Sequence, residues 1–152
     1  MLLAHPGGPF FETKDLGAWT IPKGEFGPGE EDLAVARREF EEETGHAAPD
    51  DKAPIPLGEI TQKGGKVVIA WALEGDLDPA TAASNTFALE WPPRSGRFVD
   101  TPEIDRVEWF ATDVARQRIK ETQVPLIDRL EAALAVPGRE SPADWLLETV
   151  DQ

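Results

Sequence analysis

The chain has 152 residues and a formal net charge of −14, with 29 Asp and Glu against 15 Lys and Arg. That length buries the core of one domain without staples, and so acidic a surface repels polyanions, which excludes long nucleic acid as a partner. Cysteine is absent, so disulfides and thiolate metal sites are excluded.

No apolar run approaches the roughly 18 residues of a membrane span, and no charged-then-apolar leader opens the chain. The expectation is a cytoplasmic protein without a membrane partner. No repeat or low-complexity segment interrupts it.

Residues 1–5 read as the end of a strand, and a Pro/Gly loop, residues 5–9, follows. Residues 16–22, LGAWTIP, predict a short strand that delivers Trp19 and Ile21 to one face. Residues 24–45, GEFGPGEEDLAVARREFEEETG, then run from a Gly-rich turn into an acidic helix. Between Asp32 and Thr44 there is no Gly or Pro, and Val35 is the one β-branched residue before the last, so a helix is predicted there. Leu33, Ala36 and Phe40 form its apolar stripe. Glu39, Glu42 and Glu43, at i, i+3 and i+4, crowd a neighbouring face. Gly45 suits the left-handed residue that closes a helix.

That face is costly if it does nothing but dissolve. Each like-charge pair at these spacings costs roughly 0.2–0.5 kcal/mol. The macrodipole adds about 0.3–1 kcal/mol against negative charge near a helix C-terminus. A hard divalent cation would reverse both signs, because carboxylate oxygens are the ligands Mg²⁺ and Mn²⁺ prefer. A solvated acidic face is the other reading, and charge alone does not separate the two.

The spacing does. Gly24, five residues, Glu30, seven residues, then Arg38-Glu39-Phe40-Glu41-Glu42-Glu43-Thr44-Gly45 resembles the Nudix box, whose pattern is Gly-x5-Glu-x7-Arg-Glu-apolar-x-Glu-Glu-x-Gly-apolar. Every fixed residue is in place; His46 stands where the family usually has an aliphatic residue. The resemblance implies an α/β fold, a Nudix-type α/β/α sandwich with a mixed central sheet, in residues 1–136, with residues 137–152 as a C-terminal extension. That fold normally opens with a full strand, so the N-terminal strand is expected to be short or missing. The bare edge would invite a second copy and a homodimer.

The resemblance also implies roles. Glu39, Glu42, Glu43 and the carbonyl of Gly24 would hold Mg²⁺ or Mn²⁺, Arg38 would orient Glu39, and Glu30 would support Arg38 or the metal. Trp19-Thr20-Ile21-Pro22-Lys23-Gly24 is similar to the Trp-x-x-Pro-Lys-Gly lead-in of family members acting on dinucleoside polyphosphates and diphosphoinositols. Lys23 is thereby a candidate for substrate phosphate, or an ordinary surface lysine.

Beyond the box, residues 57–62 and 66–73 predict two strands joined by a tight turn, Lys63-Gly64-Gly65-Lys66. Val67, Ile69 and Trp71 share one face of the second strand and Val68, Ala70 and Ala72 the other, the pattern of a central strand covered on both sides. Lys63 and Lys66 are a soluble turn or a contact for substrate phosphate. Residues 76–85 form a polar connection and residues 86–91 another strand. In the next loop Arg94 offers a fork for phosphate oxygens and Trp91 a stacking face for a base, unless the loop is merely rigid and exposed.

A strand through Val107 and Trp109 follows. Many Nudix enzymes carry an acid shortly before this strand's Trp, facing the box, where it completes the metal site or acts as base. Glu103 fits that position best, then Glu90, then Asp105. Residues 112–120 predict a helix, and Leu126, Ile127, Leu130, Ala133 and Leu134 give the period of another that opens at Pro125 and covers the sheet. Ser141-Pro142 reads as the cap of a short final helix containing Trp145, Leu146 and Leu147.

The implied activity is metal-dependent hydrolysis of a pyrophosphate bond in a nucleoside diphosphate linked to another moiety, with Glu39 or Glu103 as base. The lead-in and basic loops favour dinucleoside polyphosphates or nucleoside triphosphates, small-molecule substrates in either case. The Tyr that dinucleoside polyphosphate enzymes often carry after the box is missing, since this chain has no Tyr. A Nudix-fold sensor that binds a nucleotide without cleaving it is the alternative.

Overall fold

The computed structural model describes residues 1–25, 31–135 and 145–151, with eight strands and three helices among them. β1 (Leu2–Pro6) opens the chain, and alternation places its residues in two different cores. Met1 and Leu3 join a cluster with Trp19, Ile21, Val68, Ala70, Leu126 and Leu130. Leu2 and Ala4 join another with Phe40, Leu73, Ile104 and Val107. Residues 16–22 form no strand. Two isolated bridges hold that stretch, Ala4 to Thr20 and Trp19 to Ile119, and they suffice to bury Trp19 and Ile21.

β2 (Lys23–Glu25) leads towards α1 (Asp32–Thr44), which has the bounds predicted for it. Gly45 closes the helix in the left-handed region, with φ 75°, and its N–H donates to the Glu41 carbonyl at 2.8 Å. The buried face differs from the expected stripe. Val35, Ala36, Phe40, Glu43 and Thr44 are buried, while Leu33 is only half-buried. The helix packs beside β2 and also reaches the neighbouring sheets, so its inward face is wider than one stripe and takes in a carboxylate.

β3 (Ile55–Thr61) and β4 (Val67–Glu74) form the predicted antiparallel hairpin, joined by a 3₁₀ turn at Lys63–Gly65. Val68, Ala70 and Ala72 are fully buried; Val67, Ile69 and Trp71 on the other face are half-buried. Among the described residues β5 (Thr86–Glu90) pairs only with β6 (Phe98–Pro102), making a two-stranded ribbon with Phe87, Phe98 and Val99 exposed. β7 (Ile104–Trp109) returns antiparallel to β1.

α2 (Thr112–Arg118) and α3 (Val124–Leu134) follow. Leu126, Ile127, Leu130 and Leu134 of α3 are buried against β3 and β4, as their period requires. Arg129 fixes the helix to the sheet by donating to the carbonyls of Leu57 and Glu59 at 2.9 and 2.8 Å.

β8 (Trp145–Asp151) corrects the expectation of a final helix. It lies between β2, to which it runs parallel, and β4, to which it runs antiparallel, giving a mixed sheet of order β2-β8-β4-β3. The Leu and Glu in this segment favour a helix locally, but the open edge of β4 supplies a full ladder of hydrogen-bond partners, and tertiary context overrides weak propensity. The expected capping residues, Ser141 and Pro142, lie outside the described residues. Strand pairing among the described residues divides the domain into three sheets rather than one continuous layer.

Candidate active site

Of the candidate ligands, the C-terminal half of α1 carries one buried carboxylate and two nearer the surface. Glu43 is 5 % exposed and faces a cleft of about 180 Å³ whose walls include Pro6, Thr20, Glu103 and Lys120. Glu39, one turn back, and Glu42, the preceding residue, lie nearer the surface, with side chains 19 % and 43 % exposed. Arg38 reaches both, at 3.8 Å from Glu39 and 4.0 Å from Glu42.

The Glu39 carboxyl is raised above its ordinary value, first by burial and then by the neighbouring Glu42 charge. Arg38 opposes the rise, whereas Glu103 adds to it, and a hydrogen bond with Glu42 favours the protonated acid. Glu42 and Glu103 thus each act on Glu39, and Glu43 shares a cleft with Glu103. Among the described residues no three such groups converge on a single point as a ready cation cage. The donor set itself is all carboxylate oxygen, which fits a hard divalent cation and would not suit a soft one.

A backbone relay holds Glu103 opposite α1. Its N–H donates to the Asn85 carbonyl at 3.0 Å, and the Asn85 N–H donates to the Glu42 carbonyl at 2.9 Å. On its other side, the Glu103 carbonyl accepts from Gly7 N–H at 3.0 Å. Gly7 is needed there, since a Cβ would stand 2.0 Å from the Pro102 carbonyl oxygen. The two other candidate acids, at the end of β5 and in β7, are engaged elsewhere. Glu90 accepts from Arg94 N–H at 2.7 Å, and Asp105 bonds buried His5 at 2.9 Å.

His46, the departure from the box pattern, hydrogen-bonds Thr81 Oγ1 through Nε2 at 2.8 Å. An aliphatic residue would hold that loop by packing; His46 holds it by a polar contact beside the Ala83 N–H to Thr44 carbonyl bond of 2.9 Å.

The remaining candidates separate spatially. Lys63 and Lys66 line a second, larger cavity of about 520 Å³, together with Gln62, Lys120 and Glu121. Trp91 and Arg94 sit at the tip of the β5–β6 ribbon and line neither cavity. Lys23 and Gly24 are placed as strand backbone in β2, and Glu30 lies outside the described residues. Lys120, on the walls of both cavities, is missing from the candidates chosen on sequence. Its only signal there was rarity, since the chain has six lysines in all.

Comparison with known proteins finds relatives of this chain. Over 105 residues, covering 67 % of this chain and 26 % of the relative, it is 30 % identical to the 8-oxo-(d)GTP phosphatase of Mycolicibacterium smegmatis. Over 53 residues, covering 32 % of each chain, it is 51 % identical to the RNA pyrophosphohydrolase of Erythrobacter litoralis. The chain therefore spans only about a quarter to a third of the length of these curated relatives. No solved structure gives a significant match. The model of the NUDIX domain matches residues 1–130, a span that takes in β1, the acidic helix and the Glu103 loop, and on that match the chain belongs to the Nudix family.

Proposed function

We propose that this protein hydrolyses a pyrophosphate bond in a nucleoside diphosphate linked to another moiety, with dinucleoside polyphosphates or nucleoside triphosphates as the favoured substrates. The observation that carries the reading is the acidic end of α1, where Glu39 and Glu42 share Arg38 and Glu43 shares a cleft with Glu103 of the β6–β7 loop. Carboxylates brought together against their own repulsion have a use where cations and phosphate oxygens must be gathered.

Glu39, Glu42 and Glu43, with the Gly24 carbonyl, would hold Mg²⁺ or Mn²⁺. When bound, such ions neutralise the phosphate charge that repels a nucleophile and lower the pKa of bound water. The chain's own groups do the rest. Arg38 limits the repulsion between Glu39 and Glu42 and sets their orientation. Glu39 or Glu103 accepts the proton of the attacking water. The buried Glu43 and Lys120 both line the cleft that would receive the substrate. Glu30 would support Arg38, and Lys23 would meet phosphate beside the metals. The layered α/β/α arrangement fits α3 on one sheet face and a second core around Phe40.

One curated relative is named an 8-oxo-(d)GTP phosphatase and the other an RNA pyrophosphohydrolase, which supports a phosphorus-containing substrate. Phosphate release with Mg²⁺ or Mn²⁺, across dinucleoside polyphosphates, nucleoside triphosphates, ADP-ribose and RNA 5′ ends, tests the proposal. Glu42→Gln is expected to cut turnover by orders of magnitude with an unchanged Tm. Equal rates in variant and parent would remove Glu42 from the site. Tight binding without turnover of any substrate would make the protein a sensor.

A further inference from the structure

We infer that the outer edge of β5 is a homodimer interface, on which β5 of a second copy pairs antiparallel about a twofold axis at Ala88. The inference concerns assembly and does not depend on the hydrolase reading.

Of the six large hydrophobic side chains exposed among the described residues, Phe87, Trp91, Phe98 and Val99 belong to the ribbon of β5 and β6. Arg94 and Arg97 balance Glu90 and Asp100, so residues 86–102 carry no net charge in a molecule of −14. Two copies of so acidic a chain repel each other over most of their surface. The ribbon is where that repulsion lapses and apolar area waits to be covered.

Backbone geometry names the edge. Trp91 N–H donates to the Arg97 carbonyl at 2.9 Å, and Glu103 N–H to the Asn85 carbonyl at 3.0 Å. Phe87 lies opposite Thr101 and Leu89 opposite Val99 between those bonds, so the odd-numbered residues bond across the ribbon. The N–H and C=O groups of Thr86, Ala88 and Glu90 therefore point away from β6, and among the described residues they meet no partner. Such a row of unpaired groups is a template for another strand. Other edges are engaged: Ala4 of β1 exchanges bonds of 2.8 and 2.9 Å with Thr20, and Arg129 takes up the carbonyls of Leu57 and Glu59 on β3.

Chemistry separates β5 from β6. A β6 pair would centre on Asp100 and oppose like charges, and Pro102 at its end has no N–H to offer. A β5 pair centred on Ala88 has neither defect. Ala88 meets Ala88 of the partner subunit, Thr86 meets Glu90 of the partner subunit, and the whole strand is used. Phe87 and Leu89 lie on one face of the pleat, so Phe87, 40 % exposed, covers Leu89 of the partner subunit. The two ribbons become one continuous sheet.

The test is sedimentation equilibrium of the full chain at about 0.15 M salt, where a Debye length of about 8 Å screens long-range repulsion. A dimer is expected. Ala88→Pro removes an N–H that points away from β6 and so leaves the ribbon its own bonds; it is expected to raise the dimer Kd about tenfold or more. Phe87→Lys, which leaves the backbone alone, is expected to weaken the dimer similarly and serves if Ala88→Pro lowers Tm. The chain has no cysteine, so a short bismaleimide is expected to link Ala88→Cys into a dimer. It is expected to spare Asp100→Cys, whose copies would stand three strand spacings, about 14 Å, apart. A monomeric parent would overturn the inference and leave the edge to a strand from another protein. So would a dimer whose Kd is unchanged in both Ala88→Pro and Phe87→Lys, or one that cross-links through Asp100→Cys and not through Ala88→Cys.

Discussion

Glu39 is where the stability and the proposed chemistry of this protein pull apart. Burial and the charges of Glu42 and Glu103 raise its carboxyl above the usual value of 4.5, against the pull of Arg38. The folded state therefore holds a proton that the unfolded chain releases, and stability falls as pH rises from about the unfolded value through the raised folded one. Above that window the loss is complete; below it there is none. Glu39→Gln removes the titrating group. The variant is expected to be more stable than the parent at neutral pH and to match it in acid, below the ordinary carboxylate range, as read from urea midpoints across pH. A parent curve that stays flat against the variant's would remove the repulsion from the account. That the acids cluster was legible in the i, i+3, i+4 spacing; that Glu103 acts on Glu39 rested on resemblance, because the relay through Asn85 and Gly7 joins residues far apart in the chain.

At the scale of elements, local signals worked where local forces decide. The helix over Asp32–Thr44 has its bounds written in composition and in Gly45, whose left-handed backbone needs no partner to be recognised. Its buried face is tertiary, and so Val35 and Glu43 turn inward where Leu33 was expected. The last strand shows the same limit more sharply. Trp145, Leu146 and Leu147 follow a capping pattern, yet the segment completes a ladder between Gly24 and Ile69 through Val150. Val150→Pro removes an N–H in the middle of that ladder, which a strand paired on both sides cannot spare. A fall of many degrees in Tm is expected, with lost activity because Gly24 leaves its place beside α1. A helical residue at 150 would tolerate the change no better locally, so the deciding measurement is amide exchange at Ile69 and Gly24. Unaltered protection at both would mean that β8 does not pair there.

Across the whole molecule, charge and core obey different geographies. Carboxylates dominate the composition, but three of the six lysines line one cavity that shares Lys120 with the acidic cleft, a distribution that net charge conceals. Among the described residues the apolar interior is likewise two clusters rather than one, and β1 feeds both: Leu3 into the core under α3, Leu2 into the core around Phe40. Both side chains are essentially fully buried, so either truncation to Ala is expected to cost about 2–5 kcal/mol. Because consecutive residues of one short strand anchor the two clusters, loss of either one takes the strand from the other. Leu2→Ala and Leu3→Ala are therefore each expected to unfold in a single cooperative transition, at a lower temperature than the parent, with calorimetric and van't Hoff enthalpies equal. Two resolved transitions in either variant would show that the acidic helix with its Phe40 core folds apart from the α3 layer, and the cleft and the lysine cavity could then not share a rigid Lys120 wall.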